Sequence, residues 1–158
     1  MMQLHSPAFE DGGEIPPRHT ADGEDASLPL QWLGLPPGTA ELALVMDDPD
    51  APGERPWVHW VVYHIPAGID HLPGDIHHEE CLAYPPGVTQ GCTSFGPDCI
   101  GYHGPQPPPG GGPHRYRLRL TALNRQLRLP PRVDRDALEA AMEGHVLAHA
   151  ELVGTYAR

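Results

Sequence analysis

The sequence predicts a mainly β protein, an antiparallel β-sandwich of two sheets with one or two peripheral helices near the C-terminus. Short apolar or aromatic runs recur along the chain, and Pro and Gly residues, 21 and 18 of 158, separate them. Only the C-terminal segment shows helical periodicity. Because the chain has no internal repeat and no linker between two cores, we expect one domain over residues 1–158.

The first strands are predicted from apolar runs that end at turn residues. Leu30–Leu33 has partial alternation, and the continuous apolar character of Glu41–Met46 indicates a buried strand. Trp57–Ile65 gives the strongest strand signal, because it is rich in aromatic and β-branched residues and stops at Pro66. If side chains alternate strictly along this strand, one face carries Trp57, His59, Val61, Tyr63 and Ile65. Neither face is polar, so we expect a central strand that is covered on both sides.

The second half predicts a long loop, a strand and a helix. Residues 66–113 are rich in Gly and Pro and contain little continuous structure, which is typical of a functional or disordered loop. His114–Leu123 alternates apolar residues with arginines and predicts a half-exposed strand. Asp134 is the expected N-cap of the helix, Gly144 is expected to end it, and Leu152–Tyr156 is expected to form a last short strand.

Composition and charge exclude several classes of partner. The formal net charge of −11 repels phosphate backbones, so we expect no nucleic acid and no basic patch for anionic membranes. The opening residues show no charged region followed by an apolar one, and no apolar run reaches membrane-spanning length. We therefore expect a soluble cytoplasmic protein without integral membrane contact.

Three cysteines, Cys81, Cys92 and Cys99, are present. Their odd number and the lack of C-x-x-C spacing argue against a disulfide framework and against a zinc site. Cys92 and Cys99 could pair across a loop, but the expected compartment favours free thiols.

The most informative segment is Asp48-Pro49-Asp50-Ala51-Pro52, which directly follows a buried strand and precedes Trp57-Val58-His59-Trp60. Crowded carboxylates repel one another, and prolines fix the backbone that carries them. Rigid acids beside a strand histidine indicate a site, although each acid on its own could simply cap a turn.

These residues resemble the phosphatidylethanolamine-binding protein family, and within it the bacterial Raf-kinase-inhibitor-like members. Asp48–Pro52 looks like the family's D-P-D-x-P motif, and Gly112–Tyr116 looks like its G-x-H-R-Y motif. Trp57–Trp60 matches the strand that carries the family's other pocket histidine. The resemblance implies a β-sandwich with a small pocket at one edge for phosphate or a phospholipid head group, and a possible homodimer. By resemblance the pocket residues would be Asp48, Asp50, Pro52, Trp57, His59, His114 and Tyr116, with Gly104 on the adjoining loop.

The chemistry of such a pocket depends on its histidines. A carboxylate that accepts a hydrogen bond from one imidazole nitrogen leaves the other nitrogen to donate to a phosphate oxygen. We expect Asp48 and Asp50 to orient His59 and His114, with the pairing left open. The hydroxyl of Tyr116 could donate as well.

The leading hypothesis is therefore a binding protein for a small anionic ligand, with no catalysis, no cofactor and no metal ion. A phosphoester hydrolase using the same Asp/His pocket is the first alternative, although Ser94 is its nearest nucleophile and lacks a G-x-S-x-G context. An inhibitor of kinases or proteases is the second, and the sequence offers no specific epitope for it. The run His77-His78-Glu79-Glu80 could hold a metal, but neighbouring side chains in extended chain point apart, so a polar loop is favoured.

Overall fold

The structure is a computed structural model that describes residues 1–158. It contains eight strands and one α-helix: β1 (Gln3–His5), β2 (Leu30–Leu33), β3 (Glu41–Asp48), β4 (Trp57–Pro66), β5 (His71–Leu72), β6 (Thr89–Gln90), β7 (His114–Leu123), α1 (Arg135–Met142) and β8 (Val146–Tyr156). The strands form two antiparallel sheets in the orders β1-β2-β5 and β6-β4-β3-β7-β8. The predicted mainly β fold of two sheets with a C-terminal helix is confirmed.

The main hydrophobic core lies between the two sheets. Trp60, Val62 and Ile65 of β4 pack there with Leu30 and Trp32 of β2. The alternating residues Tyr116, Leu118 and Leu120 of β7 face the same core and are fully buried. Burying these large apolar side chains on both inner faces holds the sheets together.

A smaller core covers the outer face of the five-stranded sheet. Val61 and Tyr63 of β4 pack there against Leu138 and Met142 of α1. The helix begins as expected, because the carboxylate of Asp134 accepts a hydrogen bond of 2.9 Å from the backbone N–H of Ala137. Both faces of β4 are therefore covered, as its sequence predicted.

The expected strict alternation along Trp57–Ile65 is wrong, because β4 contains two bulges. Met46 pairs with Trp60 while the next residue of β3 pairs with Val58, so His59 is an extra residue without a partner. A second irregularity lies near His64, whose φ is 56°. The bulges move His59 and Ile65 to the inner face, away from Val61 and Tyr63.

The chain ends in a longer strand than predicted. β8 covers Val146–Tyr156 rather than only its last five residues. It pairs with β7 over almost its whole length, from Val146 opposite Leu123 to Tyr156 opposite His114. The mixed polar sequence after Gly144 carries a weak strand signal, and the long-range pairing with β7 overrides it.

The expectation of free cysteines is also wrong, because Cys92 and Cys99 form a disulfide. Their Cα atoms are 4.7 Å apart. The segment folds back on itself through a bridge between Cys92 and Ile100, and the N–H of Thr93 donates to the carbonyl oxygen of Cys99 over 2.9 Å. A count of cysteines cannot register this local reversal. Cys81 is exposed and has a free thiol.

No helix of the chain has both the length and the apolar character needed to cross a lipid bilayer.

Candidate functional site

A pocket of about 300 Å³ lies at one end of the five-stranded sheet. Because β3 is antiparallel to both β4 and β7, the last residue of β3 meets the first residues of its two neighbours. This geometry gathers residues that are far apart in sequence. The pocket is lined by Asp48, Ala51, Pro52, Trp57, His59, Phe95, Gln106, Pro108, His114 and Tyr116. Six of the eight sequence-predicted site residues belong to this set: Asp48, Pro52, Trp57, His59, His114 and Tyr116.

Asp48 and His114 form a buried pair in the pocket. The Nδ1 atom of His114 donates to Oδ2 of Asp48 over 2.7 Å. The other carboxylate oxygen of Asp48, Oδ1, accepts from the backbone N–H of Asp50 over 2.8 Å. Both oxygens of Asp48 are thus engaged, so the carboxylate is fixed and in turn fixes the His114 ring.

His59 reaches the pocket through the bulge in β4. Its Nδ1 atom lies 2.6 Å from the carbonyl oxygen of His103. A carbonyl can only accept, so Nδ1 carries the proton and Nε2 of the neutral ring carries a lone pair. Burial lowers the pKa of His59, and the bond to His103 opposes this only in part. His59 is therefore a neutral ring that accepts hydrogen bonds through Nε2.

An aromatic cage surrounds the His59 ring. Tyr116 lies edge-on to it at a centroid distance of 5.3 Å, and Phe95 does so at 5.1 Å. Phe95 also contacts Trp57 edge-on at 5.6 Å and stacks on His103 at 4.6 Å. Burial raises the pKa of Tyr116, so its hydroxyl stays protonated and can donate.

Asp50 does not orient a histidine. Its carboxylate accepts from the backbone N–H of Arg115 at 2.8 Å and from the guanidinium Nε and Nη2 of Arg115 at 3.0 and 2.9 Å. These hydrogen bonds lower the pKa of Asp50 to about 2. Asp50 therefore fastens the acidic turn to β7, and the backbone of His103 supplies the orienting group that was expected from a second acid.

Gly104 lies outside the pocket wall and packs against another loop. Its N–H donates to Oδ1 of Asp25 over 2.8 Å. A Cβ atom there would collide with the carbonyl oxygen of His19, so only glycine permits this close approach. Gly104 positions the Pro-rich loop, which brings Gln106 and Pro108 to the pocket.

Phe95, Gln106 and Pro108 were absent from the sequence-predicted set, although Phe95 lies in a Ser-Phe-Gly segment and the other two in the Pro-rich loop before His114. Residues of irregular loops have no periodicity that would show which of them face a cavity. Ser94, the nucleophile considered above, does not line the pocket, and its Oγ accepts from the N–H of Val58 over 2.9 Å.

The family profile described as phosphatidylethanolamine-binding protein matches residues 5–157, almost the whole chain. The chain belongs to this family. A UPF0098 protein of Methanothermobacter thermautotrophicus is 45% identical over 157 residues, which cover 99% of both chains.

Two solved structures of the family resemble this fold. YbcL of Escherichia coli, a member of the mammalian phosphatidylethanolamine-binding protein family, superposes with a TM-score of 0.91 at 29% sequence identity. The superposition covers 99% of this chain and 98% of YbcL. A phosphatidylethanolamine-binding protein homologue from Chlamydia trachomatis gives 0.88 at 34% identity, with 99% and 97% covered. The resemblance stated from the motifs is thereby confirmed.

Proposed function

We propose that this protein binds a small phosphate-bearing ligand in the Asp48–His114 pocket and does not transform it. The observation that carries the proposal is the buried hydrogen bond from His114 to Asp48, at 2.7 Å, in the pocket that also holds His59 and Tyr116. A fixed imidazole with one free nitrogen toward a cavity is a directed hydrogen-bonding group for an anion.

The two histidines have different roles in this proposal. Asp48 accepts the Nδ1 proton of His114, so a second proton on Nε2 makes that ring a charged donor to a phosphate oxygen. His59 presents a lone pair, so it accepts the proton of a singly protonated phosphate. The hydroxyl of Tyr116 adds a further donor. The site therefore favours a phosphate monoester monoanion. One of its oxygens accepts a hydrogen bond from His114, and its P–OH group donates one to His59.

The walls of the pocket suit the carbon atoms next to the phosphate. Phe95, Pro108, Pro52 and Trp57 present apolar surface, and 40% of Trp57 is exposed. A ligand would bury this surface, which favours an ester with a carbon substituent over inorganic phosphate. Small phosphate monoesters such as phosphoethanolamine have this chemistry, whereas the phosphodiester of an intact phospholipid has no P–OH to donate.

A titration followed by NMR tests the proposal. The ring resonances of His59 and His114 should shift on addition of inorganic phosphate or phosphoethanolamine, and His114→Ala should abolish saturable binding. The matched control is His71→Ala, because His71 is exposed and also pairs with a carboxylate, Asp70, at 3.0 Å. That variant should bind as the wild type does. Unchanged histidine resonances at millimolar phosphate would overturn the proposal.

The hydrolase alternative is tested with the same proteins. His114 beside Asp48 has the arrangement of an oriented general base, but the pocket lining contains no Ser, Thr, Cys or Lys side chain. If the wild type hydrolyses p-nitrophenyl phosphate and His114→Ala does not, the pocket is a catalytic site and the binding proposal is overturned.

A further inference from the structure

A groove of about 560 Å³ adjoins the pocket, on the other side of Trp57. Pro52 and Trp57 line both, so the two cavities are neighbours separated only by these two side chains, and Trp57 is 40% exposed. The other residues of the groove are Gly53, Glu54, Arg55, Pro56, Val58, Cys92, Thr93, Ser94, Asp134, Arg135 and Asp136. A ligand seated in the pocket could therefore extend into this groove.

The groove differs from the pocket in chemistry. Charged side chains line it, including Glu54, Arg55, Asp134 and Asp136, whereas aromatic and proline side chains dominate the walls of the pocket. An acyl chain in the groove would desolvate charges and gain little apolar contact. The surroundings instead suit a polar body with hydrogen-bonding groups.

Arg135 lines this groove and is poorly hydrogen-bonded. Its side chain is only 12% exposed, yet its one hydrogen bond is a long one, 3.4 Å from Nη1 to Oδ2 of Asp47. Its Nε is buried without a hydrogen-bond partner, and the nearest carboxylates, of Asp136 and Glu139, lie 3.7 and 3.9 Å away.

The other arginines nearby each form a bidentate pair with a carboxylate. Arg55 makes two short bonds to Asp136, of 2.9 and 2.6 Å, and Arg117 makes two to Asp47, of 2.9 and 3.1 Å. Arg117 thus competes for the same carboxylate that Arg135 reaches only at long range. A poorly satisfied guanidinium is costly, and an acceptor supplied by a ligand would remove that cost.

We propose that the groove binds the polar body of a phosphorylated ligand, and that Arg135 binds a second acceptor of that ligand, a carboxylate or carbonyl oxygen. This inference rests on the proposed function, since the phosphate occupies the pocket. The ligand is then a polar phosphorylated compound that carries such an acceptor, for example a phosphorylated amino acid in a short peptide. Diacyl lipids are disfavoured.

Three probes test the inference by calorimetry: phosphoethanolamine, the tripeptide glycyl-phosphoseryl-glycine and dihexanoyl phosphatidylethanolamine. We expect the tripeptide to bind about tenfold more tightly than phosphoethanolamine, the gain typical of one charge-assisted contact. Arg135→Gln should remove this gain and leave the affinity for phosphoethanolamine unchanged. Arg128→Gln is the matched control, because Arg128 is exposed and lies outside the groove, and it should keep the gain.

A second measurement uses the wild-type protein and therefore does not depend on whether the variant folds. The Nε–Hε resonance of Arg135 should shift with the tripeptide and stay in place with phosphoethanolamine. Tripeptide affinity equal to that of phosphoethanolamine, a gain that survives in Arg135→Gln, or tighter binding of the dihexanoyl lipid would each overturn the inference. Failure of phosphoethanolamine and of inorganic phosphate to bind would instead overturn the proposed function.

Discussion

Nδ1 of His114 lies 2.7 Å from Oδ2 of Asp48, although the two residues are 66 positions apart in the sequence. The antiparallel pairing of β3 with β7 brings the end of one strand to the start of the other. Because Oδ1 of Asp48 also accepts the N–H of Asp50, the carboxylate cannot rotate freely. The pair therefore fixes which nitrogen of His114 is available to a ligand.

Replacing Asp48 by Asn should weaken phosphate binding by about tenfold, because the acceptor that fixes the His114 ring loses its charge. The neutral amide keeps nearly the same shape, so the fold should be retained. Calorimetric titration with phosphoethanolamine measures the effect. Asp70→Asn serves as the control, since Asp70 forms a comparable pair with His71 on the exposed surface. Equal affinities for wild type and Asp48→Asn would refute the role of the pair.

Phosphate affinity should rise as the pH falls from about 8 to about 6, because imidazole titrates in this interval. Burial lowers the pKa of His59, which favours its role as the acceptor of the phosphate proton. A phosphate ester also gains its own proton near pH 6. Sulfate has no proton to gain in this range, so its affinity isolates the contribution of the protein. A flat sulfate profile would remove the charged-histidine explanation.

The sequence predicted β2, β3, β4 and β7 and six of the ten pocket residues, but it did not predict β1, β5 and β6 and placed only the last five residues of β8 in a strand. His114–Leu123 was predicted to the residue, because apolar side chains alternate with arginines along it, and the motifs placed Asp48, His59 and His114 together. The sequence did not predict that His59 reaches the inner face through a bulge. Bulges depend on the pairing partner, which a local pattern does not contain.

The role of Asp50 shows a second limit of the sequence. Two acids in one motif suggested two equivalent partners for two histidines. In the folded chain, however, the Asp50 carboxylate accepts hydrogen bonds from the backbone and side chain of Arg115 and from neither ring. The donor that hydrogen-bonds with an acid depends on the tertiary path of the turn. The group that orients His59 is the backbone carbonyl of His103, which has no sequence signature.

The Asp50–Arg115 pair should contribute stability that depends on acid pH. The pKa of Asp50 is lowered from 3.8 to about 2, chiefly by hydrogen bonds from Arg115. A carboxyl group with a lowered pKa in the folded state stabilises the fold above its unfolded pKa and loses that contribution as the pH falls through the folded pKa. The stability difference between wild type and Asp50→Asn should therefore be constant above about pH 5 and shrink between about pH 4 and pH 2.

Urea unfolding at a series of pH values measures this difference. Arg115→Gln should also reduce the acid-dependent contribution, because it removes the side-chain hydrogen bonds to Asp50. Arg119→Gln is the control on the same strand, since Arg119 pairs with Glu151 at 3.5 Å and does not touch Asp50. A stability difference that is independent of pH down to about 2 would show that Asp50 acts only through shape.

The disulfide between Cys92 and Cys99 should stabilise both the fold and the pocket wall. It closes a loop with a sequence separation of seven, and this loop carries Phe95 against His59 and Trp57. For so short a loop, the chain-entropy relation predicts a loss of about 2–3 kcal/mol in the free energy of unfolding when both cysteines are replaced by serine. Urea unfolding measures this loss, and the His59 ring resonances should broaden as Phe95 gains freedom.

Cys81→Ser is the matched control for this prediction, because Cys81 is exposed and unpaired. It should change the free energy of unfolding little. Ser94 gives the loop a second anchor, through hydrogen bonds of 3.0 and 2.9 Å with the backbone of Val58. The loop should therefore stay attached to β4 without the disulfide, and phosphate binding should weaken rather than vanish. Complete loss of binding in a folded double-serine variant would mean that the disulfide, and not Ser94, holds Phe95 in place.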